Sequence, residues 1–207
     1  MDEQIIYLIR HGSPQYPIDS QGRKLIYGPT AGLTGEGMLQ CERLARRILE
    51  REGAPLDVLV TSPYTRAEET AAILARVMGT NVVVKEDRLR DTRSSWAGTL
   101  ADDFMQTFYA GMTFDDPRTL ESMEELGQRM KAAYDDIRIR YGSEKIGIVS
   151  HGDPIRALWF RLHDPKGEYP PYPELTKMIG LGAAEGLRLQ IEVSGRVVPN
   201  QEIIVGE

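Results

Sequence analysis

Residues 57–85 read DVLVTSPYTRAEETAAILARVMGTNVVVK and hold a strand, a helix and a second strand in direct succession. Asp57–Thr61 is short, apolar and rich in β-branched residues, the pattern of a buried strand. Ser62-Pro63 punctuates it, and beyond that point Ala67, Ala71, Leu74 and Met78 recur on one helical face. Ser62 suits an N-cap and Pro63 a first helical turn, so the helix is expected to begin at the strand's end. Asn81–Lys85 is apolar and β-branched again and reads as the next strand.

The same alternation extends in both directions. Upstream, the run Gln4–Ile9 stops abruptly at Arg10-His11-Gly12 and reads as a buried strand. Ser13–Gly32 is loop, rich in Pro and Gly. The helix after Leu33 has Leu44, Ile48 and Leu49 at helical spacing, with Thr34 or Glu36 at its start and Gly53-Ala54-Pro55 at its end. Downstream, residues 86–120 are the least regular part. Glu121–Tyr141 is a long helix with Met123, Leu126, Met130, Ala133 and Ile137 in phase. Lys145–Ser150 is a fourth strand ending at His151-Gly152, and Asp153–Leu162 another helix. Met178–Leu181 and Leu187–Val193 read as a closing hairpin. Strands alternating with helices predict an α/β fold, a three-layer α/β/α sandwich with a mostly parallel central sheet. No linker or repeat divides it, so residues 1–207 are expected to form a single domain.

Composition narrows the functional classes. The chain has 207 residues, long enough to bury a sizeable core without covalent staples. Its single cysteine, Cys41, excludes an internal disulfide framework and any multi-thiolate metal site. Three histidines and no HExxH argue against zinc hydrolase chemistry, and no cofactor is expected. A net charge of −6 offers no global field for nucleic acid or an anionic membrane. No apolar run approaches the roughly 20 residues of a membrane span. The acidic start, MDEQ, is unlike a basic signal peptide, so a cytoplasmic protein is expected.

The unusual residues collect at three strand ends: Arg10-His11-Gly12, Thr61-Ser62-Pro63 with Arg66, and Ser150-His151-Gly152. Ligands of open α/β sheets bind beyond the carboxyl ends of the strands. With the first, second and fourth strands side by side, two histidines and two arginines meet at one rim. Arginine forks grip an oxyanion such as phosphate bidentately, and helix-start N–H groups add donors. A neutral imidazole can attack phosphorus, and a second, charged imidazole can stabilise the pentavalent transition state. Glycine after each histidine permits close backbone approach.

At these residues the chain resembles the histidine phosphatase (phosphoglycerate mutase-like) superfamily. The matching stretches are LIRHG at 8–12, LTGEG at 33–37, TSPYTRAEETA at 61–71, ESMEE at 121–125 and SHGDPIRAL at 150–158. They keep the family's order and spacing. The resemblance implies the phosphoglycerate mutase-like fold, phosphorylation of His11, a phosphate pocket of Arg10, Arg66 and His151 with Gly12 and Gly152, and no metal. Ser13 falls where the family often has a phosphate-contacting residue. One large branch carries its proton donor as Glu in an LRE-like stretch before W-x-G. This chain has Leu89-Arg90-Asp91, then Trp96-Ala97-Gly98, so the expected acid is Asp91, one methylene shorter. In the other branch the acid follows the second histidine, which makes Asp153 the alternative.

The expected activity is a phosphomonoesterase on a small phosphorylated substrate. The alternatives are a phosphoglycerate mutase-type phosphotransferase and a non-catalytic phosphate-binding module. Against the mutase, SPQYP follows RHG where that subgroup has ES-x-WN. His163 reads as a helix C-terminal residue and Cys41 as a core residue. Arg23, Lys24, Arg88, Arg90 and Arg93 read equally as extra anion contacts or as surface charge. Trp96, Phe104, Phe108, Tyr109 and Phe114 read as a lid over the substrate or as a plain hydrophobic subcore.

Overall fold

Strands without a polar face must be covered on both sides, and that requirement builds the molecule. The computed structural model describes residues 4–110, 114–142, 145–192, 197 and 202–205. Along the chain run β1 (Gln4–Arg10), α1 (Gly35–Glu52), β2 (Val58–Thr61), α2 (Thr65–Met78), β3 (Val82–Lys85) and α3 (Ala101–Tyr109). They are followed by α4 (Met123–Tyr141), β4 (Ile146–Ser150), α5 (Gly152–His163), α6 (Tyr172–Met178), β5 (Glu185–Ile191) and β6 (Glu202–Val205). The strands form one sheet in the order β3-β2-β4-β1-β5-β6. The pairings among the first four strands are parallel, and β5 pairs antiparallel with both β1 and β6.

The alternation within β1 shows how the layers arise. Ile6 and Leu8 face one side, where Leu126, Met130 and Ala133 of α4 and Ile155 and Leu158 of α5 cover them. Tyr7 and Ile9 face the other, against Leu44 and Ile48 of α1 and Ala67, Ala71 and Leu74 of α2. Each fully buried Leu or Ile contributes about 1.5–3 kcal/mol. Both helical layers therefore clamp β2, β4 and β1, while β3 is an edge with Val82 and Val83 exposed. Among the described residues no helix is long and apolar enough to cross a membrane.

Register sets the rim. Arg10 lies beside Ser150, and Thr61 beside Val149. The residues following β1, β2 and β4 thus leave the sheet at one level. Thr34 caps α1, its hydroxyl accepting the Gly37 N–H at 2.9 Å.

Three expectations need correction. The helix α2 starts at Thr65, not at the strand's end, and its N-cap is Tyr64 without a side-chain cap. Ser62 is drawn away from capping by a tertiary hydrogen bond described below. The irregular stretch 86–120 contains α3 and a single 3-10 turn at Asp87–Leu89. The closing hairpin pairs β5 with β6, and Met178 instead ends α6, whose turns bury Tyr172 and Leu175. Val193, the last residue of the expected hairpin, lies outside the described residues.

Candidate active site

His11 and His151 emerge from the adjacent strands β1 and β4, and their rings meet edge to face with centroids 5.1 Å apart. The exposure of each is about 2% or less. His11 Nδ1 lies 2.7 Å from the carbonyl oxygen of Gly12. A carbonyl only accepts, so Nδ1 carries the proton and Nε2 keeps its lone pair. Burial, then the neighbouring His151 and Arg66, hold His11 well below the usual imidazole pKa. The ring is neutral at pH 7, with a lone pair available at Nε2.

Beside it lies Arg66, on the first turn of α2 and 2% exposed. Its Nε donates to His11 Nε2 at 3.2 Å, one terminal nitrogen to the Gly28 carbonyl at 3.2 Å, and the other to Asp91 Oδ2 at 2.8 Å. Tyr27 and Tyr64 lie 4.8 and 5.1 Å from the guanidinium carbon and hold its plane. Arg10 donates to the Leu181 carbonyl at 2.8 Å, and its buried Nε has no partner among the described residues.

His151 is oriented by a residue the sequence assigned elsewhere. Ser62 Oγ lies 2.8 Å from His151 Nε2 and also accepts the Tyr64 N–H at 3.3 Å. The serine proton has no other acceptor among the described residues, so it goes to Nε2 and the imidazole proton sits on Nδ1. Nδ1 has no hydrogen-bond partner and lies 3.5 Å from Asp91 Oδ2. Burial, Arg66 and Arg10 hold the His151 pKa well below the usual value. Burial and the two arginines thus favour a neutral ring in this arrangement, whereas the sequence reading expects a charged second imidazole in the transition state.

A cavity of about 340 Å³ opens in front of these groups, bordered by Arg10, His11, Asp91, Gly152 and Asp153 among others. Asp91 accepts from Arg66 and, through Oδ1, from the Thr92 N–H at 3.0 Å. Asp153 accepts from Tyr172 Oη and lies 3.2 Å from Arg156 Nη1. Burial, opposed by Arg156 and reinforced by the Asp91 charge, raises the Asp153 pKa. Gly152 borders the cavity, and a Cβ there would meet Arg156 Nη1 at 2.8 Å.

Four of the expected site residues, Arg66, His151, Gly12 and Ser13, do not border this cavity; Arg66 and His151 lie against His11 and Asp91, and the other two turn elsewhere. The Gly12 N–H donates to Thr70 Oγ1 at 3.1 Å. A Cβ at Gly12 would lie 2.5 Å from the Gly37 carbonyl oxygen, so its glycine serves the close approach of α1. Ser13 donates its N–H to Gln40 Oε1 at 3.0 Å and does not border the cavity. The basic residues nearby are also engaged elsewhere: Arg23 with Asp19, Arg88 with Glu86 and Asp136, Arg90 with Asp87, and Arg93 with Glu121. Lys24 sits 5.7 Å from the Tyr16 ring centroid. His163 stacks on Trp159 as a helix-end residue, and Cys41 is buried.

The aromatic residues divide between the two readings. Trp96 is buried with Phe104 edge-on at 5.2 Å, and Phe104 and Phe108 border the cavity. Phe114 packs on Tyr172 and the main core, while the Tyr109 side chain lies outside the described residues. Sequence reasoning missed Ser62 as the partner of His151, and it missed Arg129. That residue donates to the carbonyls of Arg88 at 2.5 Å, Arg90 at 3.0 Å and Asp91 at 3.3 Å. Its only sequence signal is a basic residue eight positions after Glu121, its buried partner. Among the described residues no group of three His, Cys, Asp or Glu side chains is placed to hold a metal ion.

The model of the histidine phosphatase superfamily (branch 1) matches residues 6–177. A putative phosphoserine phosphatase 2 of Hydrogenobacter thermophilus is 30% identical over 164 residues, covering 74% of this chain and 75% of that protein. A 2,3-bisphosphoglycerate-dependent phosphoglycerate mutase of Thermoplasma acidophilum is 30% identical over 157 residues, with 74% of each chain covered. Among solved structures, a phosphoserine phosphatase mutant of Entamoeba histolytica in complex with phosphoserine superposes with a TM-score of 0.72 at 20% identity, covering 99% of this chain and 98% of that one.

Proposed function

The chain belongs to the histidine phosphatase superfamily, branch 1, and from that premise we propose that it hydrolyses phosphate monoesters through a phosphohistidine at Nε2 of His11. The observation that carries the reading is the 2.7 Å bond from His11 Nδ1 to the Gly12 carbonyl. It fixes the nucleophilic tautomer with Nε2 next to the Arg66 guanidinium. The substrate is a small phosphorylated molecule, and residues 1–207 act as one catalytic domain.

The phosphoryl oxygens take the Arg66 fork from Asp91 and contact Arg10 and the His151 Nδ1–H. His11 Nε2 attacks phosphorus in line and the ester P–O bond breaks. The Asp91 carboxylate, freed from Arg66, takes up the acidic proton of the bound monoester and passes it to the departing oxygen as the P–O bond breaks. Water then attacks the phosphohistidine and gives its proton to the Asp91 carboxylate as the P–N bond breaks. Inorganic phosphate takes that proton as it leaves, His11 is again neutral and Asp91 is again a carboxylate. His151 and Arg66 stabilise the equatorial oxygens in both steps without moving.

The test is hydrolysis of 4-nitrophenyl phosphate in EDTA, wild type beside His11→Ala. Turnover is expected to survive the chelator and to fall by at least about 10³-fold in the variant. Phosphate release by His11→Ala at the wild-type rate overturns the phosphohistidine route. Acid-labile phosphate on wild-type His11 without phosphate release to water points instead to the mutase-type transferase.

A further inference from the structure

Beyond Asp91 the phosphate-facing cavity continues into a recess of about 160 Å³, walled by Ile26, Tyr27, Trp96, Phe104 and Met105. Asp91 and Asp153 border both spaces, so the recess lies within reach of an alcohol leaving past Asp91. Charge in the wall is one-sided. Among the described residues no Lys or Arg borders the recess, and the only ionisable acids or bases there besides tyrosine are Asp91 and Asp153. The two arginines of the adjoining cavity are already engaged. Arg10 is bound to the Leu181 carbonyl and faces the phosphoryl position, while Arg156 is held by Asp153 and the Ile179 carbonyl. Lys24 is exposed over the Tyr16 ring and does not border the recess.

A carboxylate or second phosphate on the leaving group would lose water in this recess, find no cation and face two carboxyl groups. A ring meets aromatic faces already arranged edge to face, such as Trp96 with Phe104. We propose that the substrate class is the phosphate monoester of an uncharged, ring-bearing alcohol, and that carboxylate-bearing esters are selected against. This inference rests on the phosphatase reading above.

The experiment compares kcat/KM for 2-phenylethyl phosphate, phosphoserine and 3-phosphoglycerate, all esters of alkyl alcohols. Each is also run as a competitor of 4-nitrophenyl phosphate hydrolysis, so slow turnover still reads out as affinity. The phenylethyl ester is expected to lead by at least about tenfold. Equal or better performance by either carboxylate ester overturns the substrate class while leaving the phosphatase reading intact. Failure to hydrolyse any of the four overturns both. Met105 is 36% exposed, so Met105→Arg places a cation at the wall without disturbing a core. It is expected to improve the carboxylate esters by about threefold to fivefold relative to the phenylethyl ester. An unchanged ratio overturns the charge argument.

Discussion

Asp91 and Asp153 border the same cavity, but their partners suit them to different work. Asp91 shares Arg66 with His11 and, in the proposed mechanism, is released when phosphoryl oxygens claim that fork. Asp153 is tied to Tyr172 and Arg156, and its burial keeps it protonated beyond the usual carboxylate range. Asp91→Asn should therefore lower kcat/KM about 10²–10⁴-fold on an alkyl ester, whose leaving oxygen needs a proton. The same change should cost far less on 4-nitrophenyl phosphate. Asp153→Asn should leave that contrast in place, and a reversal between the two variants moves the proton donor to Asp153. Both acids were visible in the sequence because each adjoins a motif. Ser62 was misread because Ser-Pro ahead of an amphipathic run is the signature of a helix start. Only the position of His151, 89 residues away, shows that its hydroxyl is used elsewhere.

The loop that carries Asp91 has little regular structure of its own, and α4 supplies its rigidity. Arg129 reaches from the second turn of that helix to the carbonyls of Arg88, Arg90 and Asp91 and is balanced by Glu121, itself 2% exposed at the side chain. Burial would raise Glu121, but the bonds from Arg129 outweigh it and hold the carboxylate below its usual pKa. Arg129→Met should cost about 3–5 kcal/mol, because it strands a buried charge. Adding Glu121→Leu should recover part of the stability in urea titrations but not kcat, since the loop carbonyls stay unheld. Full recovery of kcat in the double variant would show that Arg129 does not position Asp91. At this scale the sequence was read well wherever apolar periodicity ran long, as in α4 with Met130, Ala133 and Ile137. It was read poorly at α3, whose nine residues mix acids with aromatics that face a cavity, and at Met178, which lies in a short helix fixed by tertiary burial of Tyr172 and Leu175.

Across the whole molecule, two buried neutral histidines set the acid limit of stability. Each has a folded pKa well below 6.5, so below that pH the unfolded chain binds protons that the native chain refuses. Stability is then fully present above about pH 6.5 and falls as pH drops through the window beneath it. Two such groups give a slope of at most about 2.7 kcal/mol per pH unit. Asp153 works in the opposite sense, its raised pKa adding stability in acid that fades as it ionises in the native state. Urea unfolding between pH 5 and pH 7.5 should show the loss on acidification, and a His11→Ala/His151→Ala variant should show a flatter curve. An equal slope in the variant would assign the acid sensitivity to other groups. The strand order has a further result for how the protein comes into being. β4 lies between β1 and β2, so the two neighbours that bring His11 and Arg66 share no direct edge. A nascent chain that has emerged only as far as α4 has β1 and β2 but not the strand that lies between them. Ile146–Ser150 joins those two strands and carries His151 to the same rim, so under the proposed mechanism the site is complete only once the sheet is.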